Sequence, residues 1–316
     1  MCGKDAGFEE QPRSLLYSFR AHSLNLLLCQ QEVIASLPQE DISDHTAAQL
    51  RGDINLDQVD VCYRPGEKVI DGLSLQIPAS QKVGIVGRTG AGKSTIVRII
   101  TRLTGIAGGT LSIDGQDISQ LDLHSLRSQI AVLSQQPHLF GGTVRFNMDP
   151  TGHYADAALW AALDKAHCRE LVAGQLGGLD GRLSSRGGNV SAGQGQLLCL
   201  ARVLLADCRL ILLDEATASL DEELASLVEA TLTAEARDAT VIHVAHRLAA
   251  VGNADRIVVM DAGKVVEDGA RTSLLSDPGS LFARLLHHEQ DLGHFTSLRD
   301  PSATSEGFRR YSTTLL

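Results

Sequence analysis

The spacing of apolar residues changes several times along this chain, and each change predicts an element. Residues 1–50 are polar apart from one amphipathic stretch, Leu15 to Leu37, closed by Pro38. From Gly52 the pattern shifts: Ile54, Leu56, Val59 and Val61 suggest strand structure, and Leu73, Leu75 and Ile77 alternate until Pro78. Lys82 to Val86 is a short apolar strand running into glycines, and Lys93 to Thr104 then carries Ile96, Val97, Ile99, Ile100 and Leu103 at helical spacing. The stretch from His138 to Gly188 reads mostly helical, with Ala155 to His167 its clearest helix. Strands return at Leu210–Leu213, Thr240–Val244 and Arg256–Met260, with helical stretches between them. This alternation predicts an α/β fold: a parallel sheet with helices on both faces. Asp261-Ala262-Gly263-Lys264 joins two apolar runs as a hairpin turn, and after about Gln290 periodicity fades, which predicts a flexible tail over 291–316.

Composition narrows the function classes. With 316 residues, 43% hydrophobic and 21% charged, the chain has ample material for a globular core. A net charge of -10 argues against nucleic acid as a partner, because that footprint is basic. No run of 18 apolar residues exists, and Ser23 to Cys29 is too short to span a bilayer. No basic segment followed by an apolar one opens the chain, so no secretory signal is expected. Six cysteines, at 2, 29, 62, 168, 199 and 208, lack metal or disulfide spacing and read as free thiols of a reducing compartment.

The first candidate chemistry lies between the Lys82 strand and the Lys93 helix. Gly87-Arg88-Thr89-Gly90-Ala91-Gly92-Lys93-Ser94, followed by Thr95, fits G-x-x-x-x-G-K-[ST]. Glycines let the backbone form a concave nest of N–H groups, and the helix behind adds its positive end to the same anion. Lys93 is suited to neutralise the β- and γ-phosphates, and the Ser94 hydroxyl to ligate Mg²⁺.

The second lies at Leu210-Ile211-Leu212-Leu213-Asp214-Glu215, an apolar strand ending in two carboxylates. A core strand delivers its C-terminal end to the crevice where α/β ligands bind. Asp214 is suited to hold Mg²⁺ and Glu215, one residue on, to polarise an attacking water. His246 follows the next strand; by pattern alone it is either a surface histidine or a group close to the γ-phosphate.

Together these residues resemble the ATP-binding cassette (ABC) family over about residues 52–290. Val190-Ser191-Ala192-Gly193-Gln194 is similar to the family signature LSGGQ and lies between the two phosphate-site motifs. The resemblance implies that Tyr63 stacks on adenine, that Gln135 is the Q-loop glutamine acting in catalysis and at Mg²⁺, that Ser219-Leu220-Asp221 is the D-loop, and that His246 is the switch histidine. It also implies a P-loop NTPase (RecA-like) core with an antiparallel β subdomain and an inserted α-helical signature subdomain. VGIVGRTGAGKST, LFGGTVRFNMDP, GQLLCLAR and LLDEATASLD most resemble subfamily C, the multidrug-resistance-associated exporters, and their second cassette in particular. Three departures stand out: Val190 for Leu, Ala192 for Gly, and Gly195 where a basic or polar residue commonly follows. A glycine near a helix start costs about 0.5–1 kcal/mol relative to alanine.

The resemblance implies an ATPase domain, 51–290, that dimerises with an identical or different cassette around two Mg·ATP, each closed by the partner's Ser191, Ala192, Gly193 and Gln194. It further implies transmembrane domains as partners, a place on the cytoplasmic face of a membrane, and residues 11–38 as the continuation of a transmembrane helix in a longer protein. Two other readings stay open: a binding-only regulatory cassette, and a soluble non-transport ATPase of chromosome maintenance or translation. Only about 120 residues separate Ser94 from Asp214, too few for a long inserted coiled coil, and only one cassette is present.

Overall fold

The computed structural model describes residues 49–64, 66–218 and 220–297, with the side chains of the last helix placed to residue 289. The Leu15–Leu37 stretch, Ser219 and residues 298–316 lie outside the described residues.

Two sheets organise the chain. An antiparallel sheet has the order β2-β1-β4-β5, formed by β1 (Ile54–Arg64), β2 (Glu67–Ile77), β4 (Gly108–Ile113) and β5 (Gln116–Asp117). The uneven apolar spacing of β1, with two residues between Leu56 and Val59, becomes a register shift at Gln58, whose φ is 48°. The second sheet has the order β12-β11-β3-β10-β9-β6. Its strands are β3 (Lys82–Gly87), β6 (Ile130–Ser134), β9 (Leu210–Asp214), β10 (Thr240–Val244), β11 (Arg256–Asp261) and β12 (Lys264–Ala270). All neighbours are parallel except β11 and β12, which form the expected hairpin through Ala262 and Gly263, both at positive φ.

The parallel strands are buried on both faces, as crossover packing requires. Leu210 and Leu212 of β9 join one core with the antiparallel sheet and α1 (Lys93–Ile100); Ile211 and Leu213 join a second on the opposite face. That second core packs α4 (Asp156–Lys165), α5 (Ala192–Ala206) and α6 (Glu222–Glu235) against the sheet. The short helices α2 (Leu123–Ser128) and α3 (Val144–Met148) complete this order, and α7 (Arg271–Ser276) and α8 (Leu281–Ser297) follow the hairpin.

Three sequence expectations are corrected. The first helix stops at Ile100, because the chain turns at Thr101 and Arg102 takes a φ of 51°. The middle is less helical than its apolar spacing suggests: β7 (Gly142–Thr143) pairs with β8 (Arg182–Leu183), and Leu171–Gln175 is a single π-type turn. The final helix runs to Ser297, past the point where periodicity fades, so 291–297 are helical rather than part of a tail.

Candidate functional site

Strand register brings the candidate residues to one edge of the sheet. Ser134 lies beside Asp214, Asp214 beside Val244, Val244 beside Ile85, and Gly87 beside Met260. The segments that leave these ends carry Gln135, Glu215, His246 and the phosphate loop. Parallel register alone therefore gathers residues up to 159 positions apart (87 to 246).

Gly87 shows why the loop needs glycine. Its φ is 147°, and a Cβ there would sit 2.1 Å from the Met260 carbonyl oxygen. Lys93 opens α1, is buried, and donates from Nζ to the carbonyls of Gly87 (2.8 Å) and Arg88 (3.0 Å). Its ammonium therefore lies along the concave side of the loop. Burial lowers its pKa, and the charges of Glu215 and Asp214 oppose that shift. Ala91 and Thr95 are buried around it, whereas Thr89 and Gly90 are exposed.

Ser94 Oγ donates to Asp214 Oδ1 at 2.8 Å, joining the helix start to the end of β9. Burial pushes the Asp214 carboxyl up; the Ser94 hydrogen bond lowers it, and Arg98 and His246 act in the same direction as Ser94. Next along the chain, Glu215 occupies left-handed backbone with a φ of 54°. Its N–H donates to Val244 O at 2.9 Å, and its Oε1 lies 2.7 Å from His246 Nε2. The two sequence-predicted groups thus form one hydrogen-bonded pair. Gln135 is exposed and leaves the same edge after Ser134.

Tyr63, at the end of β1, is 47% exposed. Its hydroxyl meets Thr95 Oγ1 at 3.2 Å, and the Arg98 guanidinium lies 5.8 Å from its ring centroid. The aromatic ring is therefore tied to α1, and much of it remains open to solvent.

The remaining candidates lie at the starts of α5 and α6. Ser191 is the N-cap of α5 and forms a reciprocal capping box with Gln194: Gln194 N donates to Ser191 Oγ at 3.1 Å, and Ser191 N to Gln194 Oε1 at 2.9 Å. Ala192 and Gly193 form the first turn, and a Cβ on Gly193 would come within 2.5 Å of Leu224 Cδ2 on α6. Asp221 caps α6 by accepting from Leu224 N at 2.8 Å. Among the described residues, the hydrogen bonds of Ser191 and Gln194 include none to the phosphate loop of the same chain.

Other residues shape the site without a motif that reveals them. Buried Gln196 donates from Nε2 to Ser134 O (2.9 Å) and Ala216 O (2.8 Å), clasping the ends of β6 and β9. Arg202 donates to His138 O (2.6 Å) and Asn147 Oδ1 (2.8 Å), holding the segment after Gln135. Gly195 is buried, and a Cβ there would lie 3.0 Å from Pro137 Cβ and Cγ. A side chain there would require Pro137 to give by a few tenths of an ångström.

The ABC transporter family model matches residues 70–218. The chain is 45% identical, over 77% of its length, to ATP-binding cassette sub-family C member 10 of Mus musculus. It is 43% identical, over 73% of its length, to sub-family C member 2 of Rattus norvegicus. It spans only 16% and 15% of these two relatives. The solved structure of a bacterial Atm1-family ABC exporter with ATP bound matches with a TM-score of 0.73 and 29% identity, over 90% of this chain and 47% of that one. Among the described residues no helix is long and apolar enough to cross a membrane. The matched core, the subfamily C relatives and the exporter-like fold lead to one assignment: the chain belongs to the ABC transporter family and carries a nucleotide-binding domain of the subfamily C, exporter type.

Proposed function

We propose that this domain, residues 51–290, binds and hydrolyses Mg·ATP as one half of a cassette dimer, and that the cycle drives transmembrane domains from the cytoplasmic face of a membrane. The observation that carries the reading is the convergence of Ser94–Asp214 and Glu215–His246 beside the phosphate loop. The residues fit the ligand. Lys93 holds its ammonium on two loop carbonyls, which a polyphosphate can replace, and a hydroxyl and a carboxylate already meet where a hard cation takes oxygen ligands. When bound, Mg²⁺ would offset phosphate charge, with Ser94, Asp214 and Gln135 as its candidate holders.

The backbone of Gly87, Arg88, Thr89, Gly90, Ala91 and Gly92 cradles the phosphates, and Lys93 moves from its carbonyl partners to them. Tyr63 offers its open face to adenine. His246 Nε2–H donates to Glu215, which fixes the imidazole tautomer and the carboxylate orientation. Glu215 accepts a proton from water as the water oxygen bonds to the γ-phosphorus and the bond to the ADP oxygen breaks. Ser191 and Ala192 are exposed and Gly193 and Gln194 half-buried at a helix start that would face the γ-phosphate held by a partner cassette. Asp221 lies next to that junction.

Glu215→Gln separates binding from turnover. The amide keeps the shape and loses the base, so hydrolysis should fall by about 10²- to 10⁴-fold while ATP binding persists. The ATP-bound dimer should then accumulate on a sizing column, and a further Ser191→Arg should disperse it. Undiminished ATPase activity in Glu215→Gln would refute the catalytic assignment; a monomer that binds ATP tightly would point to a different partner cassette.

A further inference from the structure

The segment that carries His246 is held from behind by the last helix. After β10 the chain passes through Ala245, His246 and Arg247 into a single 3₁₀ turn, Leu248–Val251. The N-cap of that turn, Arg247, supplies no side-chain cap, so the first N–H of the turn needs an outside acceptor. It has one: Leu248 N donates to Glu289 Oε2 at 2.8 Å, from 41 residues further along the chain.

This contact completes a strut. Glu267 on β12 accepts from Leu281 N (3.0 Å), Phe282 N (2.8 Å) and Ser280 Oγ (3.2 Å), which anchors the start of α8. Phe282, Leu285, Leu286 and Glu289 then follow at spacings that keep them on one helix face. Phe282, Leu285 and Leu286 pack with Ala245, Leu248 and Val251 in a single apolar cluster. Eight residues of α-helix span about 12 Å, so α8 bridges β12 and the switch turn as a rigid element. The helix grips both flanks of His246, by apolar packing at Ala245 and Leu248 and by one charge-assisted hydrogen bond at the Leu248 amide.

We infer that Glu289 is a positioning residue for His246: by holding the Leu248 amide, it sets the backbone that presents the imidazole to Glu215. The inference rests on the ATPase reading above only for its kinetic consequence; the structural coupling stands independently of it. A displacement of α8 would be felt at the nucleotide edge through this bond.

The test uses the full chain with Glu289→Leu, which removes the acceptor, and Glu289→Gln, whose carbonyl can still accept. Leu248 amide hydrogen exchange and the ring resonances of His246, recorded without nucleotide, should change in Glu289→Leu and be largely restored in Glu289→Gln. His153 ring signals, from the segment before α4, serve as the internal control and should stay in place. Steady-state ATPase should show kcat lowered about tenfold in Glu289→Leu, the rate equivalent of one hydrogen bond to a charged group, with KM little changed. In a His246→Ala background the same substitution should cost nothing further. Unmoved His246 signals and unchanged Leu248 exchange overturn the proposal, as does an equal kinetic loss with and without His246. If Glu289→Leu does not fold, the parent chain decides: a Leu248 amide that there exchanges as fast as an unbonded one shows that no acceptor function resides at 289. Absent ATPase activity in the parent chain, with shifted His246 signals in Glu289→Leu, separates failure of the hydrolysis reading from failure of this one.

Discussion

Lys93 is a buried cation whose described hydrogen-bond partners are neutral carbonyls, an arrangement that becomes favourable when an anion enters the loop. Lys93→Ala should therefore weaken ATP binding about ten- to hundredfold, the value of a contact worth about 1.5–3 kcal/mol; calorimetric titration measures it, and unchanged affinity would discard the assignment. Tyr63 differs in kind, because its open face makes stacking its contribution. Tyr63→Ala should cost about 1–3 kcal/mol of ATP affinity, and Tyr63→Trp should retain it. Equal losses in both variants would indicate damage to β1 instead. Arg98 was invisible as a site residue in the sequence, since it occupies an ordinary helical position; only packing reveals it beneath Tyr63 and near Asp214. Glu215 carries a further residue-scale cost: left-handed backbone at a non-glycine residue is unfavourable by about 1–3 kcal/mol, offset here by the Val244 and His246 hydrogen bonds.

At the scale of elements, α5 and α6 begin with caps that coincide with predicted site residues. Asp221 accepts from Leu224 N, so Asp221→Ala should lower unfolding free energy by about 1 kcal/mol in urea titrations. Asp221→Ser should restore that stability, because serine also caps. If Asp221 also serves the dimer junction, Asp221→Ser should remain deficient in ATP-dependent dimerisation; full recovery of both properties would reduce Asp221 to a cap. The same overlap explains why periodicity gave a partial view of these elements. Four strands of the parallel sheet, β3, β9, β10 and β11, were legible because each is a short apolar run bounded by turn residues; β6, Ile130–Ser134, was not read from the sequence. The middle region was not, because β7 and β8 are two residues each and form by pairing across a long sequence gap. No periodicity exists in a two-residue strand. The extension of α8 to Ser297 was missed for a related reason: helix continuation depends on its packed start as well as on its own apolar pattern.

Across the whole molecule, the α6 face of the sheet stores a pH dependence in a cavity lined by His243, Glu229 and Leu213. His243 on β10 is buried with Nε2 unpartnered among the described residues, and burial pushes its pKa down to about 4. Unfolded histidine titrates near 6.5, so between these values the unfolded chain binds a proton that the native chain refuses. Stability should fall as pH drops from 6.5 towards 4, by up to about 3 kcal/mol. Glu229 lines the same cavity and responds oppositely: burial raises its carboxyl to about 7, with Arg247 opposing the shift. Its contribution is present below 4.5 and is lost as pH rises through 7; partial exposure limits it to about 1 kcal/mol. Denaturant titrations from pH 4.5 to 8 should show His243→Leu flattening the acid limb and Glu229→Gln gaining stability at pH 8. An acid limb unchanged in His243→Leu would exclude His243 as its source.

The sequence by itself determined the phosphate loop, the acidic strand end and the alternation of strands and helices, because each is a local pattern with one physical use. It also carried the family resemblance, since Ser191, Gln135, Tyr63 and His246 stand in order with the phosphate motifs. Tertiary structure alone decided which residues meet: the register that puts Asp214 beside Val244, the Ser94–Asp214 and Glu215–His246 hydrogen bonds, and the clasp of Gln196. It likewise decided that Gly195 packs against Pro137 and that Glu289 reaches Leu248. These are contacts between residues tens of positions apart or more, and a one-dimensional pattern holds no distance between such residues until the sheet sets their register.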